Sequence, residues 1–172
     1  MFFALFIAFV IIQRLIELAM AKSNEKWSKN QGAIEFGSEH YKYIITLHVL
    51  FFISLIIEYW LDPELIDGWP AILAIFLCAQ ILRYWSIFSL GKHWNTKILV
   101  IPDAPPVRKG PYRYMKHPNY FVVAIELITI PLMFGAYVTA FVFSVLNFIL
   151  LYFIRIPKEE QALQLFRLPT QK

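Results

Sequence analysis

An all-α bundle of about five membrane-spanning helices is the fold class this sequence predicts, and three observations predict it. Of the 172 residues, 59% are hydrophobic and only 16% are charged, which is far more apolar than an average soluble domain. The apolar residues gather into five blocks, each near the roughly 20 residues that a helix needs to cross about 30 Å of hydrocarbon. Among the connections between those blocks, lysine and arginine fall only in alternate ones, the pattern of a chain threaded repeatedly through a bilayer. No low-complexity linker divides the chain, so residues 1–172 read as a single integral membrane domain.

The first block, Phe2–Met20, has no basic leader and no small-residue cleavage site before Lys22-Ser23-Asn24, so it reads as a retained helix and not a cleaved signal. The connection that follows carries Lys22, Lys26, Lys29 and Lys42. The second block, Tyr43–Trp60, leads into a connection whose charges are Asp62, Glu64 and Asp67 alone. The third, Trp69–Leu90, is followed by the long link Gly91–Pro118, where Pro102, Pro105, Pro106, Pro111 and Pro118 forbid a continuous helix. Within that link Ile98–Ile101 is a short apolar run expected to be extended on the membrane surface. The fourth block, Asn119–Phe134, has 16 residues and reaches roughly 24 Å as a helix. Gly135-Ala136 joins it to the fifth, Tyr137–Ile154, which makes the pair a tight antiparallel hairpin. Pro157 then suits the first turn of a further short helix, with Glu159 and Glu160 near its positive end. That helix gathers Ala162, Leu163, Leu165, Phe166 and Leu168 on one side, as a segment lying in the interface does.

The charge pattern fixes an orientation: N-terminus outside, long link and C-terminus in the cytoplasm. Trp60 and Trp69 then bracket the outer face and Trp94 the inner one. This topology accounts for the net charge of +4, and no basic helix or aromatic pattern points to nucleic acid. The lone Cys78 excludes an intrachain disulfide and a cysteine zinc site. No set of residues has metal-ligand spacing, and neither a glycine-rich phosphate loop nor a nucleophile elbow occurs.

Two polar clusters carry the candidate chemistry. Gly110-Pro-Tyr-Arg-Tyr-Met-Lys-His-Pro-Asn-Tyr120 opens the fourth span, and Arg155-Ile-Pro-Lys-Glu-Glu160 closes the fifth. Taken alone, Arg155 and Glu159 are helical neighbours that could form a surface ion pair of little worth, His117 an interfacial histidine and Asn119 an N-cap. The hairpin, however, returns both clusters to one side. Together Tyr112, His117, Pro118, Asn119, Tyr120, Arg155, Glu159 and Glu160 supply donors, acceptors and aromatic faces suited to a zwitterionic nucleoside cofactor. Inside the spans, Arg14, Glu17, His48, Glu58, Arg83 and Glu126 are ionisable groups that hydrocarbon tolerates poorly. Arg83 and Glu126 stand two or three turns from the inner end, either as an ion pair holding helices together or as substrate-lining residues. Glu58 reads as an outer-edge residue. Glu35, Glu39 and His40-Tyr41, in the first inner connection, could cover the same site.

These clusters, with Leu82-Arg83-Tyr84-Trp85 and Leu90-Gly91-Lys92-His93-Trp94 upstream, resemble the isoprenylcysteine carboxyl methyltransferase family, from about residue 82 to 165. The resemblance implies an integral membrane enzyme that uses S-adenosylmethionine to methylate an oxygen of a lipophilic acceptor. By that resemblance His117, Tyr120, Glu159 and Glu160 map to the cofactor pocket and Arg155 to a position near the substrate oxygen. The residues themselves add Tyr112, Pro118 and Asn119 to the cofactor set, Glu159 beside Arg155 to catalysis, and Arg83 and Glu126 as candidate substrate-lining residues. Where the family usually has a glycine two residues after the motif tyrosine, this chain has Val122, with Glu126 one turn later. That variant is similar to a bacterial subgroup that O-methylates alkylpyrones, which implies a type III polyketide synthase as a partner in the same pathway, in a bacterial cell membrane.

Methyl transfer from a sulfonium to an anionic oxygen cancels both charges as the transition state forms. A dry pocket therefore disfavours the separated charges more than the transition state, and proximity does most of the rest. Competing readings are a phospholipid N-methyltransferase, a steroid-reductase-like enzyme using NADPH, and a non-enzymatic membrane protein. An arginine at the reacting centre suits an anionic acceptor better than an amine, and no internal repeat of the kind transporters carry is present.

Overall fold

The computed structural model describes residues 1–102, 104–105 and 107–165. Its helices are α1 (Phe2–Asn30), α2 (Ser38–Leu61), α3 (Trp69–Leu90), α4 (Pro118–Met133), α5 (Tyr137–Leu150) and α6 (Ile156–Leu165). Two short strands, β1 (Ile34–Phe36) and β2 (Ile98–Val100), pair antiparallel, with Glu35 opposite Leu99. Four helical stretches are long and apolar enough to span a membrane, and α4 is a shorter apolar helix beside them. Leu5, Phe9, Ile12, Ile53, Phe141 and Phe148 stand exposed around the bundle. A water-soluble surface would not carry so many exposed apolar side chains, and lipid covers them instead. The chain is an all-α polytopic membrane bundle.

Each expected block is a helix, with differences at the edges. α1 runs ten residues past Met20 to Asn30, because nothing between Lys22 and Asn30 breaks a helix and Glu25 pairs with Lys29 at 2.5 Å one turn on. Asn24 also docks this extension on the long link, donating to the Trp94 carbonyl at 2.8 Å. Ile98–Val100 is extended, as its composition suggests, but it pairs with β1. Trp94 is not an interfacial anchor: it is 2% exposed and packs with Ala21 and Ile87, because the extension of α1 covers it. α6 has Pro157 in its first turn, yet it continues from α5 through a π-helical turn at Leu151–Arg155, so residues 137–165 form one helical stretch. The wider turn gives room for the Pro157 ring, which would meet a backbone carbonyl in a regular helix. Phe166 and Leu168, expected on the apolar side of α6, lie outside the described residues.

The core lies towards the hairpin end. Phe3 meets Phe134 edge-on at 4.9 Å and stacks on Tyr59 at 3.7 Å, while Phe51, Phe76, Ile130 and Met133 fill the centre. At that end Glu58 does more than mark an edge. Its carboxylate accepts the backbone N–H groups of Val138 at 2.9 Å and Thr139 at 2.8 Å, capping α5 from a neighbouring helix. The opposite end holds the ribbon, the long link and α6, with Ala162 packed on Ile98 and Val100.

Candidate active site

The link reaches α4 through a 3-10 turn at Gly110–Arg113. Gly110 has φ +54°, and a Cβ there would come within 2.0 Å of the Ser89 hydroxyl on α3, so glycine lets the link lie against α3. Pro118 then occupies the first turn of α4, where its missing N–H costs nothing. Tyr112, His117, Asn119 and Tyr120 are all at least partly covered. Burial, and then the Glu159 carboxylate, push the Tyr112 phenol up. Tyr112 is therefore a neutral donor throughout the physiological range.

From the other side, the π turn places Arg155 under cover, at 4% exposure. Its Nε donates to the Tyr120 hydroxyl at 3.0 Å and one Nη to the Thr96 carbonyl at 2.8 Å. Tyr120 in turn donates to Glu159. His117 stacks on Tyr120 with ring centroids 5.2 Å apart. Its Nδ1 lies 3.7 Å from a Glu159 oxygen and its Nε2 3.6 Å from Glu160, which also pairs with Lys116 at 3.1 Å. Two loop residues, two aromatic rings, two carboxylates and one guanidinium thus converge where α4 begins and α5 ends.

Two local expectations are corrected. Arg155 and Glu159 form no direct ion pair among the described residues. Tyr120 stands between them, because the π turn takes the arginine off the i,i+4 geometry. Nor is Asn119 the N-cap: His117 holds that position, with no side-chain capping bond, and Asn119 sits in the first turn. Three groups here are buried without a hydrogen-bond partner among the described residues: the Asn119 Oδ1, the His117 Nε2 and the second Nη of Arg155. Buried groups of this kind are normally satisfied, so each is open to a ligand. Thr96 was missed by sequence reasoning. It lies 59 residues from Arg155, and no local pattern links the two.

Arg83 and Glu126 are brought to each other and to α1, not to this cluster. Glu126 accepts from Arg83, Arg14 and, at 2.6 Å, Gln80. Glu17 accepts from Arg14 at 2.5 Å and Arg83 at 3.2 Å. Gln13 bridges Gln80 at 2.7 Å and Glu17 at 3.2 Å. Two arginines and two glutamates form a neutral knot that clamps α1, α3 and α4, as intramembrane charges must if they are to be tolerated. It borders a small cavity of about 20 Å³ lined by Arg14, His48, Val123 and Glu126. Glu126 is six residues beyond Tyr120, roughly 9 Å along α4. Val122 lies between them, fully buried, so its side chain fills the space that a glycine would leave. Among the described residues no group of side chains could hold a metal ion.

The fold and the converging clusters define a membrane protein with a cluster of polar side chains at one end of its bundle. The model of the isoprenylcysteine carboxyl methyltransferase family matches residues 72–165, the stretch that carries both clusters, and the chain belongs to that family. It is also 53% identical over 163 residues to a Bacillus subtilis (strain 168) protein described as uncharacterized protein YpbQ, covering 94% of this chain and 96% of the relative. A Haemophilus influenzae protein, described only as uncharacterized, is 30% identical over 158 residues and is matched over 91% of each chain. No solved structure matches. Membership places the chain among membrane methyltransferases.

Proposed function

We propose that this protein is an S-adenosylmethionine-dependent O-methyltransferase acting on a lipophilic acceptor that bears an acidic oxygen. The observation that carries the reading is the buried Arg155 guanidinium, held by Tyr120 and Thr96 with one Nη left unpartnered, beside a pair of carboxylates.

The residues present fit the cofactor. Glu159 and Glu160 can accept hydrogen bonds from hydroxyl or ammonium groups, the open Asn119 Oδ1 can accept another, and the stacked rings of His117 and Tyr120 offer an aromatic face. Tyr112, as a neutral donor, completes the wall. When bound, S-adenosylmethionine supplies an electrophilic methyl group on a sulfonium sulfur. Arg155 holds the acceptor oxygen through its free Nη, and Tyr120 fixes the guanidinium's orientation from below. No enzyme-bound intermediate is required. A buried cation at the reacting oxygen favours an anionic acceptor over an amine, because an amine gains nothing from the guanidinium and pays for its neighbourhood.

Among anionic acceptors an alkylpyrone is the bacterial chemistry that the His117-to-Val123 variant favours, with a type III polyketide synthase as its supplier. An isoprenylcysteine-like carboxylate has the same charge and tail. The Lys/Arg-rich connections support a site that faces the cytoplasm from the cell membrane. Arg83 and Glu126 act on the acceptor only through the packing of α3 and α4. Calorimetric titration of the detergent-purified protein tests the reading: S-adenosylmethionine and its demethylated product bind and NADPH does not. Binding of NADPH alone would overturn it in favour of a reductase.

A further inference from the structure

The candidate site also draws on residues outside the family-matched segment. The β1–β2 ribbon brings the first turn of α2 over the end of α5, and His40 sits there at 3% exposure. It has no hydrogen-bond partner at Nε2 among the described residues. Gly37 makes this possible: its φ is +64°, and a Cβ would lie 2.0 Å from the His40 ring, so the imidazole rests directly on the backbone of the turn. The next residue, Tyr41, shares a hydrogen bond of 2.9 Å with the Thr96 hydroxyl. Arg155 donates to the carbonyl of the same threonine. Thr96 therefore ties the α2 turn and the Arg155 guanidinium to one point, and His40 lies within electrostatic reach of Arg155 and Lys158. Two buried nitrogens lack partners among the described residues: His40 Nε2, one residue before the tyrosine that bonds Thr96, and the Nη of Arg155, which reaches the carbonyl of that threonine through its other Nη. Leaving either unsatisfied is costly, and no described side chain satisfies them.

We propose that His40 is a second acceptor-binding residue, donating from Nε2 to one oxygen of the acceptor while Arg155 holds another, so that the site selects acceptors with two oxygens sharing one negative charge. Carboxylates and enolates conjugated to a carbonyl belong to that class. Phenolates and simple alcohols do not. The inference rests on the O-methyltransferase reading given above and adds to it a residue from the N-terminal half, outside residues 72–165. The neutral imidazole serves as a donor and removes no proton. The acceptor arrives as its anion, the O–CH₃ bond forms as the S–CH₃ bond breaks, and both charges disappear.

The test compares three probes, a hydroxy-alkylpyrone, a long-chain carboxylic acid and a para-alkylphenol, in the full-length protein saturated with demethylated cofactor product. Probe binding is read by tryptophan fluorescence or calorimetry, with methyl transfer measured alongside. His40→Phe is expected to weaken binding of both two-oxygen probes by about tenfold, one lost hydrogen bond, with the alkylphenol changed less than about twofold and cofactor affinity intact. His40→Gln, which keeps an N–H donor, recovers part of the loss. Should His40→Phe fail to reach the membrane, His40→Met, similar in bulk and without a donor, takes its place. Equal losses for one-oxygen and two-oxygen probes, or none for any, would overturn the proposal while leaving the functional reading intact. A wild-type protein that binds none of the three and methylates an amine instead would overturn both.

Discussion

Arg155 joins three parts of the chain: the π turn between α5 and α6 that carries it, Tyr120 on α4, and Thr96 in the long link. Its role differs from that of the carboxylates, and substitution separates the two. Glu160→Ala and Glu159→Ala are each expected to weaken S-adenosylmethionine binding by about 1.5–3 kcal/mol, one charge-assisted hydrogen bond. Arg155→Ala is expected to leave that affinity nearly unchanged and to lower the methylation rate sharply, with Arg155→Lys rescuing only part because a point charge lacks the fork. Equal loss of cofactor affinity in Arg155→Ala and Glu160→Ala would contradict the division. At this scale the sequence was legible where a tight hairpin returns two short motifs to one side: His117 and Tyr120 lie beside Glu159 and Glu160 in the structure. It was not legible where partners are distant. Nothing near Glu126 names Arg14, 112 residues away, and nothing near Arg155 names Thr96.

Among the elements, α1, α3 and α4 are clamped by the neutral knot of Arg14, Glu17, Arg83 and Glu126. Glu126→Ala leaves the buried Arg83 and the partly buried Arg14 sharing one carboxylate, an uncompensated charge that costs about 3–5 kcal/mol. Thermal unfolding in detergent is expected to show a large drop in midpoint. The double variant Arg83→Met with Glu126→Leu is expected to recover most of it, since it removes one charge of each sign. A Glu126→Ala protein as stable as the wild type would show that the knot does not hold the helices. Glu58→Ala tests the cap on α5 in the same assay, with an expected loss of about 1 kcal/mol. The spans themselves were readable because apolar length is a physical requirement of the bilayer. The extension of α1, the pairing of β1 with β2 and the π turn were not, because each depends on contacts that form only once the bundle is assembled. Ile98–Val100 illustrates this: its composition indicates an extended strand, but only the returning chain after α1 supplies the partner.

For the molecule as a whole, the two ends of the bundle have different characters. The acidic connection between α2 and α3 meets the α4–α5 hairpin, where Ile66 bonds the Met133 carbonyl at 3.4 Å, while the basic connections and the candidate site share the other end. Reporter fusions in the Asp67 connection and after Lys172 are therefore expected to report opposite sides of the membrane, and identical signals would contradict the topology. At the basic end, the proposed chemistry is transfer of a methyl group to an acidic oxygen on a lipophilic molecule. The most direct measurement gives methyl-labelled S-adenosylmethionine and a hydroxy-alkylpyrone or membrane lipid extract to purified wild-type and Arg155→Ala protein, and follows label into the organic phase. The account predicts an O-methylated product from the wild type and a loss of at least about 100-fold in the variant, with cofactor binding retained. Label on nitrogen, or equal O-methylation by both proteins, would contradict it.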